Sequence, residues 1–261
     1  MGIEESLARR RDVLRQAAKA AGDCLRGYYG KSFQVSHKGE INLVTQADRA
    51  AEEVVLKAIA TAFPHDHVVA EESGRRPGTN AWQWIIDPLD GTTNFASGLP
   101  HFAVSIGLVR DGEVLSGVVY DPIKDDWFEA TRGEGAFLNG QPIKVSDQSV
   151  LGQALTATGF PYDRRERMPE LLKRVEKILM KTRGLRRLGA AALDLAYVAC
   201  GRLDIFLEDG LNSWDIAAGL LLVKEAGGEV LQFNGDSVSL VQGEVVAGNS
   251  RLSRQALERL I

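Results

Sequence analysis

The chain has 261 residues, 44% of them hydrophobic and 25% charged, and a formal net charge of -4. This length can bury a substantial core, as one large domain or two tightly packed halves, and the composition excludes a disordered or fibrous chain. The acidic balance argues against a dedicated nucleic-acid binder, which shows a basic footprint.

Met1 to Arg11 is charged and lacks the apolar core of a secretory signal, so a cytoplasmic protein is expected. Leu14, Ala17, Ala18, Ala21, Cys24, Leu25 and Tyr28 recur at helical spacing and predict a long amphipathic first helix, ended by Gly30. Short strand-like segments at 32–35 and 41–44 follow, with Lys38-Gly39 as the turn between them. A second helix carries Ala51, Val54, Val55, Ala58, Ile59 and Phe63 on one face and closes at Pro64. His65 and His67 flank Asp66 in a polar turn and read as loop residues, because isolated histidines lack the partners a metal site needs.

Strand material then dominates: 67–70, 82–86, 103–109, 114–120 and 127–131 are rich in apolar and β-branched residues. Asp111-Gly112 between two of these runs signals a hairpin. The cluster predicts a largely antiparallel sheet backed by the first two helices. The second half alternates: a strand at 154–158, helices at 165–181 and 190–199, a strand at 203–207, a buried helix at 214–226, a strand at 244–247, and a closing helix capped near Asn249-Ser250. Arg183 to Arg187, the closest thing to a basic run, reads as solvated surface. Cys24 and Cys200, the only cysteines, fall in apolar helical patterns and read as small buried hydrophobes with free thiols. The longest apolar run, Ile216 to Val223, is too short to span a bilayer. With no internal repeat or low-complexity linker, the expected boundary between packed halves lies near Gln148.

Acids recur at the ends of the predicted elements. Asp48 starts the second helix, Glu71-Glu72 follow one strand, Asp87 and Asp90 follow another, and Asp215 opens the buried helix. Singly, Asp48 and Asp215 fit the preference of acids for helix N-termini, worth ~0.3–1 kcal/mol, and Asp-Pro and Asp-Gly are common turn formers. Together beside apolar elements they would repel one another and raise their pKa values unless divalent cations neutralise them. The set is all oxygen, with no paired cysteine or histidine at zinc spacing, so Mg²⁺ fits and Zn²⁺ does not. Gly91, Thr92 and Thr93, directly after Asp90, form a small donor-rich turn suited to phosphate. A metal-dependent phosphoryl enzyme is the reading that uses both.

Leu43 to Asp48, Ala70-Glu71-Glu72-Ser73, Trp84 to Phe95, Trp214 to Gly219 and Glu225-Ala226-Gly227-Gly228 together closely resemble the inositol monophosphatase family of Mg²⁺-dependent, lithium-sensitive sugar and polyol phosphatases. The resemblance spans nearly the whole chain, in order and at family length. It implies a layered α-β-α-β-α sandwich of mixed α+β and α/β character, with a largely antiparallel N-terminal sheet and a smaller mixed C-terminal one. Residues 1–148 would carry most metal ligands, and 149–261 Asp215 and the substrate contacts.

By the same resemblance, Glu71 and Asp87 with the Leu89 carbonyl hold a first metal, Asp87, Asp90 and Asp215 a second, and Glu71 a weaker third. Mn²⁺ is the implied substitute, Li⁺ and Ca²⁺ the implied inhibitors. Amides of Gly91 and Thr92 cradle the phosphate beside Thr93, while Asp48, Glu71 and the Thr92 hydroxyl serve the attacking water. Asp90, Asp215, Glu208, Gly189, Ala190 and Ala191 face the polyol, and Lys38 matches a lysine on a loop near the metals. Ala190 replaces the usual threonine, and Asn42 stands where many members have aspartate. The implied reaction is hydrolysis of a phosphate monoester, myo-inositol 1-phosphate foremost, by a homodimer. Fructose 1,6-bisphosphate, a nucleotide 3′-phosphate and histidinol phosphate are the alternative substrates. Thr93-Asn94-Phe95 and Gly98 to Phe102 favour the inositol branch. A further alternative is a non-catalytic binding role in transcription or RNA processing.

Overall fold

The computed structural model of the protein describes residues 2–31, 35–37, 43–241 and 243–261. Leu14, Ala17, Ala18, Ala21 and Leu25 form the buried stripe of α1 (Ile3–Tyr28). Against it lies α2 (Gln46–Ala62), burying Ala47, Ala51, Val55 and Ile59. A capping box opens α2: the Thr45 hydroxyl accepts from the Asp48 amide at 3.4 Å and from the Ala47 amide at 3.1 Å, and Asp48 accepts from the Thr45 amide at 2.8 Å, an arrangement worth about 1 kcal/mol. Before it, β1 (Val35–His37) pairs antiparallel with β2 (Leu43–Thr45). The expected turn at Lys38-Gly39, with Lys38 itself, and Asn42 lie outside the described residues.

The two helices cover one face of an eight-stranded sheet made of β3 (His67–Ala70), β4 (Gly74–Arg76), β5 (Trp82–Asp90), β6 (Ala103–Arg110), β7 (Glu113–Asp121), β8 (Asp126–Thr131), β9 (Gly135–Leu138) and β10 (Gln141–Pro142). Its order is β10-β9-β8-β7-β6-β5-β3-β4, antiparallel throughout except for the parallel pair β3–β5. Asp111 (φ 52°) and Gly112 (φ 82°) form the β6–β7 turn in the left-handed conformation that an Asp-Gly hairpin favours. From Trp84 to Asp90, β5 is buried without alternation, because helices cover both faces. The sequence places Asp87 and Asp90 beyond the end of this strand, whereas the structure carries the strand through both. Pro88 has no amide to give the ladder, and the register slips between Asp87 and Asp90 rather than ending the strand. His67 likewise belongs to β3 rather than to a loop, and its Nδ1 accepts from the Gly78 amide at 2.9 Å.

The second sheet comprises β11 (Leu155–Thr158), β12 (Gly184–Arg186), β13 (Ile205–Glu208), β14 (Glu229–Leu231) and β15 (Val245–Gly248), in the order β12-β11-β13-β15-β14. It is mixed: β11 runs parallel to β12 and β13, and the remaining pairs are antiparallel. Short α3 (Thr92–Ala96) follows β5; α4 (Arg164–Lys181), α5 (Ala191–Ala199), α6 (Ser213–Glu225) and α7 (Ser250–Leu260) complete the fold. Helices α5 and α6 fill the space between the sheets, and α4 and α7 pack on the outer side of the second. The layers therefore run α-β-α-β-α. Sandwiched on both sides, α6 buries every residue from Ile216 to Val223, which is why its sequence has no polar stripe. It approaches the first sheet closely because Gly107 and Gly117 face Ala217 and Ala218. Both cysteines are free, and each is half-buried rather than buried.

Candidate active site

One cavity of about 500 Å³ opens where the end of β5, the start of α3, the turn after β3, and the starts of α5 and α6 converge. Glu71 reaches it from a tight hairpin. Ala70 pairs with Gly74, so Glu71, Glu72 and Ser73 form a three-residue turn closed by Gly74 at φ 78°. The Glu71 amide donates to the Ile86 carbonyl at 3.1 Å, and the amides of Glu72 and Ser73 donate to the two carboxylate oxygens of Glu52 at 2.9 Å each. Asp87 and Asp90 come from β5. Asp87 accepts from the Leu89 amide at 2.9 Å; Asp90 accepts from the Ala191 and Ala192 amides at 3.2 and 2.8 Å. Asp215 sits in the first turn of α6 and accepts from the Asn212 amide at 2.6 Å.

The turn after Asp90 depends on Gly91 at φ 93°, where a β-carbon would lie 3.1 Å from the His101 carbonyl. It leads into α3, so Gly91, Thr92 and Thr93 all line the cavity. The Thr92 hydroxyl donates to Asp48 at 2.9 Å, with the Leu89 carbonyl 3.1 Å away. Asp48 itself is fully buried and does not line the cavity; it meets the site through Thr92. Of the run Thr93-Asn94-Phe95, only Thr93 faces the cavity. Asn94 donates to the His101 and Leu188 carbonyls at 2.8 Å each, and Phe95 packs edge-on to Phe102 with ring centres 4.9 Å apart.

Leu89, Gly189, Ala190, Ala191 and Glu208 line the same cavity. Thus every candidate site residue lies at the cavity wall except Asp48, one hydrogen bond behind it, and Lys38, which is outside the described residues. The wall also includes Tyr162, Arg164 and Arg187, none of which the sequence reading proposed for the site. Arg187 closes the basic run read as solvated surface. It is exposed, yet its guanidinium lies against Gly189, 2.2 Å from where a β-carbon would stand. A basic residue two positions before a left-handed glycine was the available signal. Glu52 was also missed; its signal is an acid inside the buried stripe Ala47, Asp48, Ala51, Val55, Ile59.

Burial dominates the electrostatics. It pushes the Asp87 carboxyl well above the usual range, and Glu71, Asp90 and Asp215 push further. Burial raises Asp90 to about 7 against the opposing Ala192 amide, with Glu71 adding to it. Asp215 rises to about 8 from burial, aided by Asp90 and Glu71 and opposed by the Asn212 amide. Glu208 also reaches about 8 through burial, which the Arg187 cation only partly offsets. Asp194, behind the cavity on α5, is raised by burial and by Glu208, and its Oδ1 has no hydrogen-bond partner among the described residues.

No Lys, Arg or His among the described residues forms an ion pair with Asp87, Asp90 or Asp215. Glu71, Asp87, Asp90 and Asp215 share the wall of this one cavity, close enough for their charges to raise one another. The donor set of Glu71, Asp87, Asp90, Asp215 and the Leu89 carbonyl is all oxygen, and so it fits a hard divalent cation.

Comparison with known proteins agrees with this geometry. The sequence pattern of the inositol monophosphatase family matches residues 6–261. The chain is 44% identical to the "Inositol-1-monophosphatase" of Mesorhizobium japonicum (strain LMG 29417 / CECT 9101 / MAFF 303099) over 250 residues, 95% of this chain and 94% of the relative. It is equally 44% identical to the "Nus factor SuhB" of Escherichia coli (strain K12) over 248 residues, 94% and 93% of the two chains. The crystal structure of the extragenic suppressor protein suhB from Bartonella henselae superposes with a TM-score of 0.93 at 41% identity, covering 97% of this chain and 98% of that one. A match over nearly every residue, with the acids of that match gathered around one cavity, means that the chain belongs to the inositol monophosphatase family and is a phosphatase.

Proposed function

We propose that this phosphatase hydrolyses myo-inositol 1-phosphate to myo-inositol and phosphate with Mg²⁺ as its cofactor. One observation carries the reading. Acids from separate parts of the chain (Glu71, Asp87, Asp90 and Asp215) surround one cavity together with the donor-rich turn 91–93, and three of them have no cationic partner among the described residues. Glu71, Asp87 and the Leu89 carbonyl would hold one Mg²⁺, and Asp87, Asp90 and Asp215 a second. When bound, Mg²⁺ supplies positive charge for the phosphoryl oxygens and the departing alkoxide, and acidity for a water. The chain's own groups do the positioning. Amides at Gly91 and Thr92, both at the cavity wall, would donate to the phosphate. The Thr92 hydroxyl, which donates to Asp48, would orient the attacking water, and the Glu71 carboxylate, at the same cavity wall, would take its proton. Asp90, Asp215 and Glu208 are acceptors for polyol hydroxyls, and Gly189, Ala190 and Ala191 offer a small, flat wall to the ring.

A panel of phosphate monoesters assayed with and without Mg²⁺, and with added Li⁺, tests this. The expected outcome is Mg²⁺-dependent release of phosphate, fastest from inositol 1-phosphate and inhibited by Li⁺. Equal rates on inositol 1-phosphate and fructose 1,6-bisphosphate would overturn the substrate. The proposal includes a homodimer, supported by apolar side chains exposed on α4: Leu172 at 55%, Leu179 at 57% and Met180 at 80%. Light scattering that returns a monomer mass rejects it.

A second reading rests on the 44% identity to a protein named a Nus factor. In that reading, the chain also binds a protein of the transcription machinery independently of catalysis. Pull-down from extract with wild type and Asp90→Asn separates the two, since a partner kept by the inactive variant supports binding and its absence from both rejects it.

A further inference from the structure

We infer that Glu52 is a positioning residue for the metal site: its buried carboxylate clamps the backbone of the turn that presents Glu71, and so sets how tightly Mg²⁺ is held. The inference rests on the Mg²⁺-dependent reading given above.

Glu52 lies one helical turn beyond Asp48, and the two share a face of α2. It is only 3% exposed. An acid at that depth is costly unless both oxygens find donors. They do: Oε2 accepts from the Glu72 amide and Oε1 from the Ser73 amide, each at 2.9 Å. Those are the two amides immediately after Glu71. The Glu71 amide before them is held by the Ile86 carbonyl of β5. The turn is therefore anchored to the sheet on one side and to α2 on the other, with Glu71 between the anchors. A three-residue hairpin turn pairs few of its own amides, so without Glu52 the amides of 72 and 73 would have to turn toward water and carry the Glu71 α-carbon with them.

The same helix face thus serves the site twice. Asp48 holds Thr92, and Glu52 holds the Glu71 turn. Two groups of the cavity wall are thereby referenced to one rigid element, an arrangement that keeps ligands within the tolerance a cation demands. Only a carboxylate can do this at position 52. Glutamine offers one acceptor oxygen, and its NH₂ would face an amide donor-to-donor. Aspartate retains both acceptors but falls one methylene short.

The test compares E52Q with E53Q. Glu53 is exposed next door, so its variant changes net charge equally without touching the turn. Mg²⁺ binding is read by calorimetry and by the Mg²⁺-induced rise in Tm, alongside the Mg²⁺ concentration that half-activates phosphate release. E52Q is expected to weaken Mg²⁺ by about tenfold or more, the usual scale for removing a group that orients a metal ligand, while E53Q stays within about twofold of wild type. E52D should fall between wild type and E52Q. Equal shifts in E52Q and E53Q, or an E52Q affinity within about twofold of wild type, overturn the inference. A wild type that neither binds nor responds to Mg²⁺ overturns the metal reading instead. Should E52Q fail to fold, hydrogen exchange on wild type decides. Mg²⁺ must slow exchange of the Glu72 and Ser73 amides; exchange indifferent to Mg²⁺ makes the clamp structural only.

Discussion

Asp90 ties the first sheet to helix α5 at the cavity. It ends β5 of the first sheet, and its carboxylate accepts from the Ala191 and Ala192 amides at the start of α5. A carboxyl raised to about 7 by burial, with Glu71 adding to it, is a group waiting for positive charge rather than one satisfied by its neighbours. Asp90→Asn keeps the shape and one of the two acceptors but can no longer meet a cation with charge. We expect Mg²⁺-dependent phosphate release to fall by at least about a hundredfold, the scale on which a preorganised charge-stabilising group acts. Metal-free Tm should change by no more than about 2–4 °C, because losing a buried like charge offsets the donor-to-donor contact that the Asn NH₂ makes with one α5 amide. Turnover near the wild-type value would remove Asp90 from the metal site, and a large loss of metal-free Tm would mean that its bonds to α5 are mainly structural.

At the scale of elements, α6 has to be placed before Asp215 can be. Its fit depends on the absence of side chains at Gly107 and Gly117: a β-carbon on Gly117 would stand 2.8 Å from the Ala218 α-carbon, and one on Gly107 2.8 Å from the Ala217 β-carbon. The first clash is with backbone, so it is relieved only by moving the helix. Gly117→Ala should cost about 1–3 kcal/mol, a Tm loss of about 2–4 °C for each of them, and should weaken Mg²⁺ binding because Asp215 moves with the helix. An unchanged Tm by calorimetry would show that the contact is looser than its geometry implies. Elements of this kind were legible in sequence. α1 carries a long helical stripe, and α6 an unbroken apolar run flanked by Asp215 and Gly227-Gly228. The short edge strands were not. Gly74–Arg76, Gly184–Arg186 and Glu229–Leu231 are three residues each, too short for any periodicity to register. The acids of the site were legible because an apolar strand leading straight into Asp87 and Asp90 is chemically odd. Glu52, Tyr162, Arg164 and Arg187 were not: Glu52 takes its meaning from the distant Glu72 and Ser73 amides, and the other three from a cavity wall that only the fold assembles.

At the scale of the molecule, the site stores charge that the fold resists. Asp90 is raised to about 7, Asp215 to about 8 and Glu208 to about 8, burial being the largest cause in each. Their values in the unfolded chain lie near about 4. Between those limits the native protein keeps protons that the unfolded chain has already lost, so stability falls as pH rises. For the metal-free protein in EDTA, Tm should therefore decline from about pH 5 to about pH 8. The decline should be about 3 °C or more, since even one pKa unit on one group is worth ~1.4 kcal/mol and a chain of this size shifts about 2–4 °C per kcal/mol. A divalent cation binds the deprotonated carboxylates of the native state alone, and protons compete with it. Saturating Mg²⁺ should consequently raise Tm little at about pH 5 and much more at about pH 8, flattening or reversing the slope. Scanning calorimetry at both pH values, with and without Mg²⁺, reads the four Tm values directly. A Mg²⁺-induced rise that is the same at both pH values would mean that the cation does not displace protons from these acids, and the assignment of Asp90 and Asp215 as its ligands would fall with that result.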